Sequence, residues 1–312
     1  MRTRSSLACL ALALGVCAGV PSVTLAGGIE VKPCALSALQ SGALAILDQR
    51  QGVFLLSPAT GRVQSLVGGF GFYEALNMAT ASLDGSDAIF VTMNQRSSKG
   101  GERAQLVRFN DKGMRLDAWS VPRGLVRLSG VAIDEKKRVV YVANTQPPEI
   151  YKLDLDRSPR GGSLVRLAGV PGAARLGAMA FDARRGRLLL ADPYLGRVYA
   201  YDLASGRSET LLEKVGEVSA LALDGGRDRL FLADANGERV LVADLGGRSA
   251  AARIFAQTKE LDKPLAVALD GAGGVWVGDS DERKVFQFSG AGQQLRAFPL
   301  WAAPTSKLAP PL

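Results

Sequence analysis

An internal repeat constrains this chain more than any other feature. Four segments carry it in full: SGVAIDEKKRVVYVANTQPPEIYKLDL (129–155), GAMAFDARRGRLLLADPYLGRVYAYDL (177–203), SALALDGGRDRLFLADANGERVLVADL (219–245) and LAVALDGAGGVWVGDSDERKVFQFS (265–289). Each begins with a short apolar run ending in Asp134, Asp182, Asp224 or Asp270. A tight turn leads to a second apolar run ending in Asn144, Asp192, Asp234 or Asp279. A polar loop and a third, alternating run follow. Degenerate copies at 44–67 and 79–94 add Asp48 and Asn94 at the second-run end, making six copies. Their spacing, about 42 to 50 residues, is the length of a four-stranded propeller blade.

Short runs of period two, broken by Gly and Asp turns, specify strands rather than helices. A weaker fourth strand is expected in every copy, for example over 163–167 and 252–256. The fold class read from this pattern is all-β: a six-bladed β-propeller with four antiparallel strands per blade, spanning 27–301. The innermost strand of the first blade is placed at 34–39, and residues 28–33 are expected at the edge of the last blade. Residues 302–312, with Pro304, Pro310 and Pro311, read as a loose Pro-rich tail.

Residues 1–26 read as a secretory signal peptide: Arg2 and Arg4, an apolar stretch over 7–20, then Thr24-Leu25-Ala26 at the cleavage position. A lipoprotein cut before Cys17 is disfavoured by the bulk of Val16. The expectation is an exported chain, periplasmic or secreted, with no transmembrane segment after cleavage. Two of the three cysteines lie in the leader, so Cys34 has no partner for an internal disulfide. The formal charge is +8, and about +6 without the leader. Export makes nucleic acid an unsuitable partner and an anionic surface a better one.

The chain contains no histidine. Ser-His-Asp chemistry, Cys-His chemistry, His-ligated zinc and histidine-dependent lyase chemistry are therefore excluded.

The GxAxD…VYVAD…RVxxxD cadence resembles NHL repeats and the related SMP-30/gluconolactonase-like six-bladed propellers, over about residues 35–300. The resemblance implies that the first strand of each blade lines a central channel. The b–c and d–a loops then share one face, and the a–b and c–d turns share the other. It also implies, for the lactonases, a divalent metal at the channel mouth held by a Glu early in the first blade and by Asn or Asp on inner strands. This sequence departs from that pattern. The inner-strand positions are Ala79, Ser129, Gly177, Ser219 and Leu265, followed by Thr80, Gly130, Ala178, Ala220 and Ala266, and CALSAL carries no Glu.

The ring Asp48, Asn94, Asn144, Asp192, Asp234 and Asp279 admits two readings. It is either a set of oxygen ligands for calcium or a set of turn caps, and capping is preferred because a residue repeated in every blade does the same local job in each. Candidate ligand-binding residues on the b–c face are Glu74, Asn94, Arg127, Asn144, Asp192, Tyr194, Glu217, Asp234 and Asp279, with Tyr73, Arg123 and Lys263 nearby. The polar insertion over 95–104 is a candidate contact loop, and Glu74 with Glu217 a candidate carboxylate pair. On the opposite face, Lys136, Lys137, Arg138, Arg184, Arg185, Arg187, Arg227 and Arg229 form a candidate basic docking surface, extended by Arg157, Arg160, Arg207 and Arg248. The expected function is an exported scaffold binding a protein or a polar, sugar-like ligand in the cell envelope, without a catalytic residue, a resident metal or a cofactor. The competing expectation is a lactone hydrolase with a remodelled metal site.

Overall fold

The computed structural model describes residues 28–95, 103–121, 127–158, 160–247 and 250–302. The leader, Arg123, Arg248, most of the 95–104 insertion and the tail beyond Ala302 lie outside them. The described residues form six sheets around a common axis, one per repeat, antiparallel but for one pairing in the first. Blades two to six have four strands each: those of blade four are Met179–Asp182, Arg187–Asp192, Arg197–Asp202 and Ser208–Glu213. None of the described residues forms an α-helix.

The sequence pattern explains which strands lie where. The second strand of each blade, such as Arg187–Asp192 (RLLLAD) or Arg229–Asp234 (RLFLAD), is apolar at consecutive positions because both faces of a blade are covered by its neighbours. The fourth strand of blade six, Gln294–Pro299, lies on the rim and is mostly exposed. The core is correspondingly divided. Six apolar clusters occur, one at each interface between adjacent blades, such as Leu189, Val198, Leu212, Leu230, Leu232 and Leu241 between blades four and five.

Three sequence expectations need correction. The N-terminal segment joins the first blade, not the last: Ile29–Glu30 pairs antiparallel with Trp301–Ala302, which in turn runs parallel to Val63–Val67. The ring is thus closed by both ends of the propeller, with buried Val31 donating its N–H to Leu300 O at 3.1 Å. Ala302 is consequently a buried strand residue rather than the start of the tail. In blade three the fourth strand is Val165–Gly169, because Ser163 bridges to Ser120 of blade two and Leu164 N donates to Ser120 O.

Inner strands approach closely where they carry no side chain. A Cβ on Gly130 would lie 2.4 Å from Gly177 O of the next blade. Ser129 and Ser219 bridge adjacent blades instead, donating their hydroxyls to Leu176 O and Pro264 O at 2.9 and 2.8 Å.

Candidate functional site

The six second-strand ends are all buried, and five of them bond both the loop that follows and the connection into the first strand. Asp279 shows the pattern: Oδ2 accepts the N–H groups of Asp262 and Lys263 from the d–a loop, and Oδ1 those of Asp281 and Glu282 from the b–c loop, all at 2.9–3.1 Å. Asp192 does the same for Ala174, Arg175, Tyr194 and Leu195. Asp48 binds Lys32, Arg50 and Gln51. Asp234 accepts from Glu217 N, Gly237 N and Arg239 Nε. Asn94 and Asn144 use the amide both ways: Asn94 accepts from Leu128 N and donates to Leu128 O at the start of blade three's first strand, and Asn144 accepts from Arg127 N and donates to Pro147 O. These bonds place the b–c and d–a loops on one face. They also occupy side-chain oxygens of Asn94, Asn144, Asp192, Asp234 and Asp279 inside the fold, so these five candidates hold the face together, and of them Asp234 also lines the cleft described below.

Of the remaining candidates, Glu74 and Arg127 meet across the seam of blades two and three at 2.8 Å, with Gln49 Nε2 donating to Glu74 at 2.6 Å. Glu217 lies elsewhere, bonded to the Asn236 amide, so the two carboxylates have separate partners. Tyr194 and Glu217 line a surface cleft of about 830 Å³ between blades four and five, with Arg175, Leu195, Lys214 and Arg239. Tyr194 is 69% exposed, and the Arg175 guanidinium sits 5.1 Å from its ring centroid.

The cleft is open because the chain leading into blade five is short. Only residues 214–217 join the fourth strand of blade four to the next blade, whereas 170–178 make the previous connection. Gly216, at φ 76°, lies against the Asp234 carboxylate: a Cβ there would be 2.3 Å from Oδ1, and one on Gly237 2.2 Å from Oδ2. Arg175, Lys214 and Arg239 were missed from sequence. The legible signal was the length of the KVGE connection, the shortest of its kind.

The opposite face carries the basic residues, but most are paired. Arg138 binds Asp156 at 2.7 Å and Asp84 of blade two at 3.0 Å. Asp228 binds Arg184 and Arg185 of blade four. Arg187 binds Asp182, and Arg227 and Arg229 both bind Asp224. Lys137 lies 3.9 Å from Asp134, and Lys136 enters no ion pair among the described residues. Much of this charge therefore fastens turns within blades and across their seams.

The central channel holds a cavity of about 320 Å³. Its wall is largely Ala, Leu, Val and Met, with Cys34, Ser37, Asn77 and Thr80 as the polar members. Ser37 and Thr80 bond each other through their hydroxyls at 2.6 Å, and Asn77 Oδ1 accepts from Met78 N. Cys34 is half-buried in this wall, and desolvation there pushes its thiol well above the usual cysteine range, with the charges of Asp48 and Glu74 raising it further. No carboxylate lines this cavity, and among the described residues no three Cys, Asp or Glu side chains converge as a metal-holding group. The donors present do not fit the divalent metal of the lactonases, a cation that wants several oxygen ligands.

Residues 167–309, blades four to six, match the family model described as SMP-30/Gluconolactonase/LRE-like region. No curated protein matches the chain. Among solved structures it is similar to a chain of a nidogen/laminin complex, at 16% identity and TM-score 0.65, covering 81% of this chain and 91% of that one. It is similar to a Bacteroides thetaiotaomicron protein of unknown function, at 11% identity and TM-score 0.63, covering 82% and 69%. It is also similar to a catalytically inactive virginiamycin B lyase from Staphylococcus aureus with quinupristin, at 11% identity and TM-score 0.58, covering 86% and 85%. Such identities show the fold alone.

Proposed function

We propose that this chain is an exported propeller scaffold that docks another protein on its b–c face, at the cleft between blades four and five. The observation that carries this reading is Tyr194: a large aromatic side chain, exposed, stacked with Arg175 and mounted on a turn pinned by a buried aspartate. Tyr and Arg dominate binding energy at protein interfaces, and a rigid mount lowers the ordering cost of association. Exposed Leu195 adds apolar surface beside it. The nidogen/laminin relative, a propeller from a protein complex, is consistent with this use of the fold. The leader-like residues 1–26 support export, and no helix among the described residues is long and apolar enough to cross a membrane.

A photo-crosslinking amino acid at position 194, compared with one at position 157 on the opposite face, tests the reading in cells. Specific protein adducts from position 194 alone are expected; equal yields from both positions would refute it. The competing lactonase reading is favoured by the family match over 167–309. Turnover of a lactone panel that depends on added Ca²⁺, Mn²⁺ or Zn²⁺ would establish it.

A further inference from the structure

We infer that the segment received by the cleft between blades four and five is acidic and carries an apolar side chain; this rests on the docking reading above and names the partner's chemistry. The argument is one of charge placement. The cleft has three cationic side chains, Arg175, Lys214 and Arg239, and two acidic ones, Asp234 and Glu217. Asp234 is buried and holds Arg239 at 2.9 Å, so that pair is internally neutral. Neither Arg175 nor Lys214 is in an ion pair among the described residues. Most arginines of the opposite face have found aspartates. Glu217 is turned to the Asn236 amide. Two cations therefore face one acid at the surface of the cleft, which favours an anionic occupant and penalises a basic one.

The apolar requirement comes from the same residues. Pro193, Tyr194 and Leu195 form one wall, with the Tyr194 ring and part of Leu195 exposed. A ligand with carboxylates alone would leave this wall in water. A Glu or Asp beside a Leu or aromatic residue would satisfy both walls, the carboxylate reaching Arg175 or Lys214 and the apolar group covering Leu195. The volume of about 830 Å³ is large enough for a few side chains rather than for a single small anion.

The test is fluorescence anisotropy of the full chain with a labelled Glu/Leu peptide, its Gln/Leu counterpart and labelled oligogalacturonate, each at low and high salt. The Glu/Leu peptide is expected to bind at least about tenfold more tightly than the Gln/Leu peptide, and salt is expected to weaken only the former. Arg175→Gln and Lys214→Asn should each weaken it, with an unchanged thermal midpoint. Asn is chosen because Lys214 sits at φ 57°, a conformation Asn adopts readily. Arg157→Ser, on the far face, should change nothing. Equal binding of the Gln/Leu peptide, preferential binding of oligogalacturonate, or binding that survives both cleft variants would overturn the inference. If position 194 still crosslinks protein while the Glu/Leu peptide fails, the docking face stands and the acidic partner falls.

Discussion

Asp228 of blade five accepts a hydrogen bond from Arg185 Nη1 of blade four at 2.8 Å, and Arg184 grips its other oxygen. Asp228 holds this place at φ 53°, a left-handed position that Gly186 fills in the preceding blade. Its backbone strain is offset by a bond that no glycine could make, and the carboxylate joins two blades whose seam also holds apolar contacts and a hydrogen bond from Arg185 Nη2 to Leu245 O.

That bond makes seam stability pH-dependent. The Arg185 hydrogen bond holds the Asp228 carboxyl below the usual carboxylate range, with Arg184 and Arg185 charges adding to it. At Asp224 burial pushes the other way, yet hydrogen bonds from Arg229 and Arg227 bring it below the usual range too. A lowered folded value means that the unfolded chain takes up the proton first as pH falls. Both contributions are thus complete above about pH 4–5, the unfolded carboxylate range, and are lost at lower pH. Thermal midpoints of the parent and Asp228→Asn should differ at pH 7 and converge towards pH 2. A difference that widens in acid would refute the assignment.

Removing a cap should cost far more than removing a surface acid. Asp279→Ala leaves four backbone donors without their acceptor, a loss of about 3 kcal/mol or more by chemical denaturation. Asp279→Asn should recover part of it, since Asn94 and Asn144 serve at the equivalent positions of other blades. Asp281→Ala, whose backbone alone is used, is the comparison and should be near neutral.

Two glycines with nearly the same backbone conformation should respond differently. Gly42, at φ 79°, has nothing within 4 Å of an added Cβ, so Gly42→Ala pays only the left-handed penalty of about 1 kcal/mol. Gly216→Ala adds a collision with Asp234, worth about 1–3 kcal/mol more, and displaces the cleft wall. Paired denaturation curves measure the difference. Equal losses would show that Asp234 can move aside.

Cys34 should be unreactive in the folded protein. Its raised thiol value leaves almost no thiolate at pH 8, and the thiolate is the reacting form. A chromogenic disulfide reagent, applied to leader-free protein, should titrate one thiol in denaturant and almost none without it. Rapid reaction of the native protein would contradict this.

The repeat was legible because its information is local. Asp134, Asp182, Asp224 and Asp270 mark where first strands end, and a buried strand such as RLFLAD announces itself through apolar continuity. The capping role of Asp192 and Asp279 followed from the same reasoning, since one local job recurs in every blade. The expected basic surface was less legible. Sequence counts Arg184 and Arg185 as two positive charges, but only folding reveals that Asp228, more than forty residues on, meets both. The pairing depends on radial blade order, which brings a–b turns of successive blades side by side.

Blade number and the capping ring were thus set by the chain alone, because periodicity and turn chemistry act over a few residues. The closure partner of Ile29–Glu30, the pairing of the arginines and the cleft beside Tyr194 were decided by the tertiary structure. Each depends on which distant segments the closed ring makes neighbours, and on how much space a four-residue connection leaves uncovered.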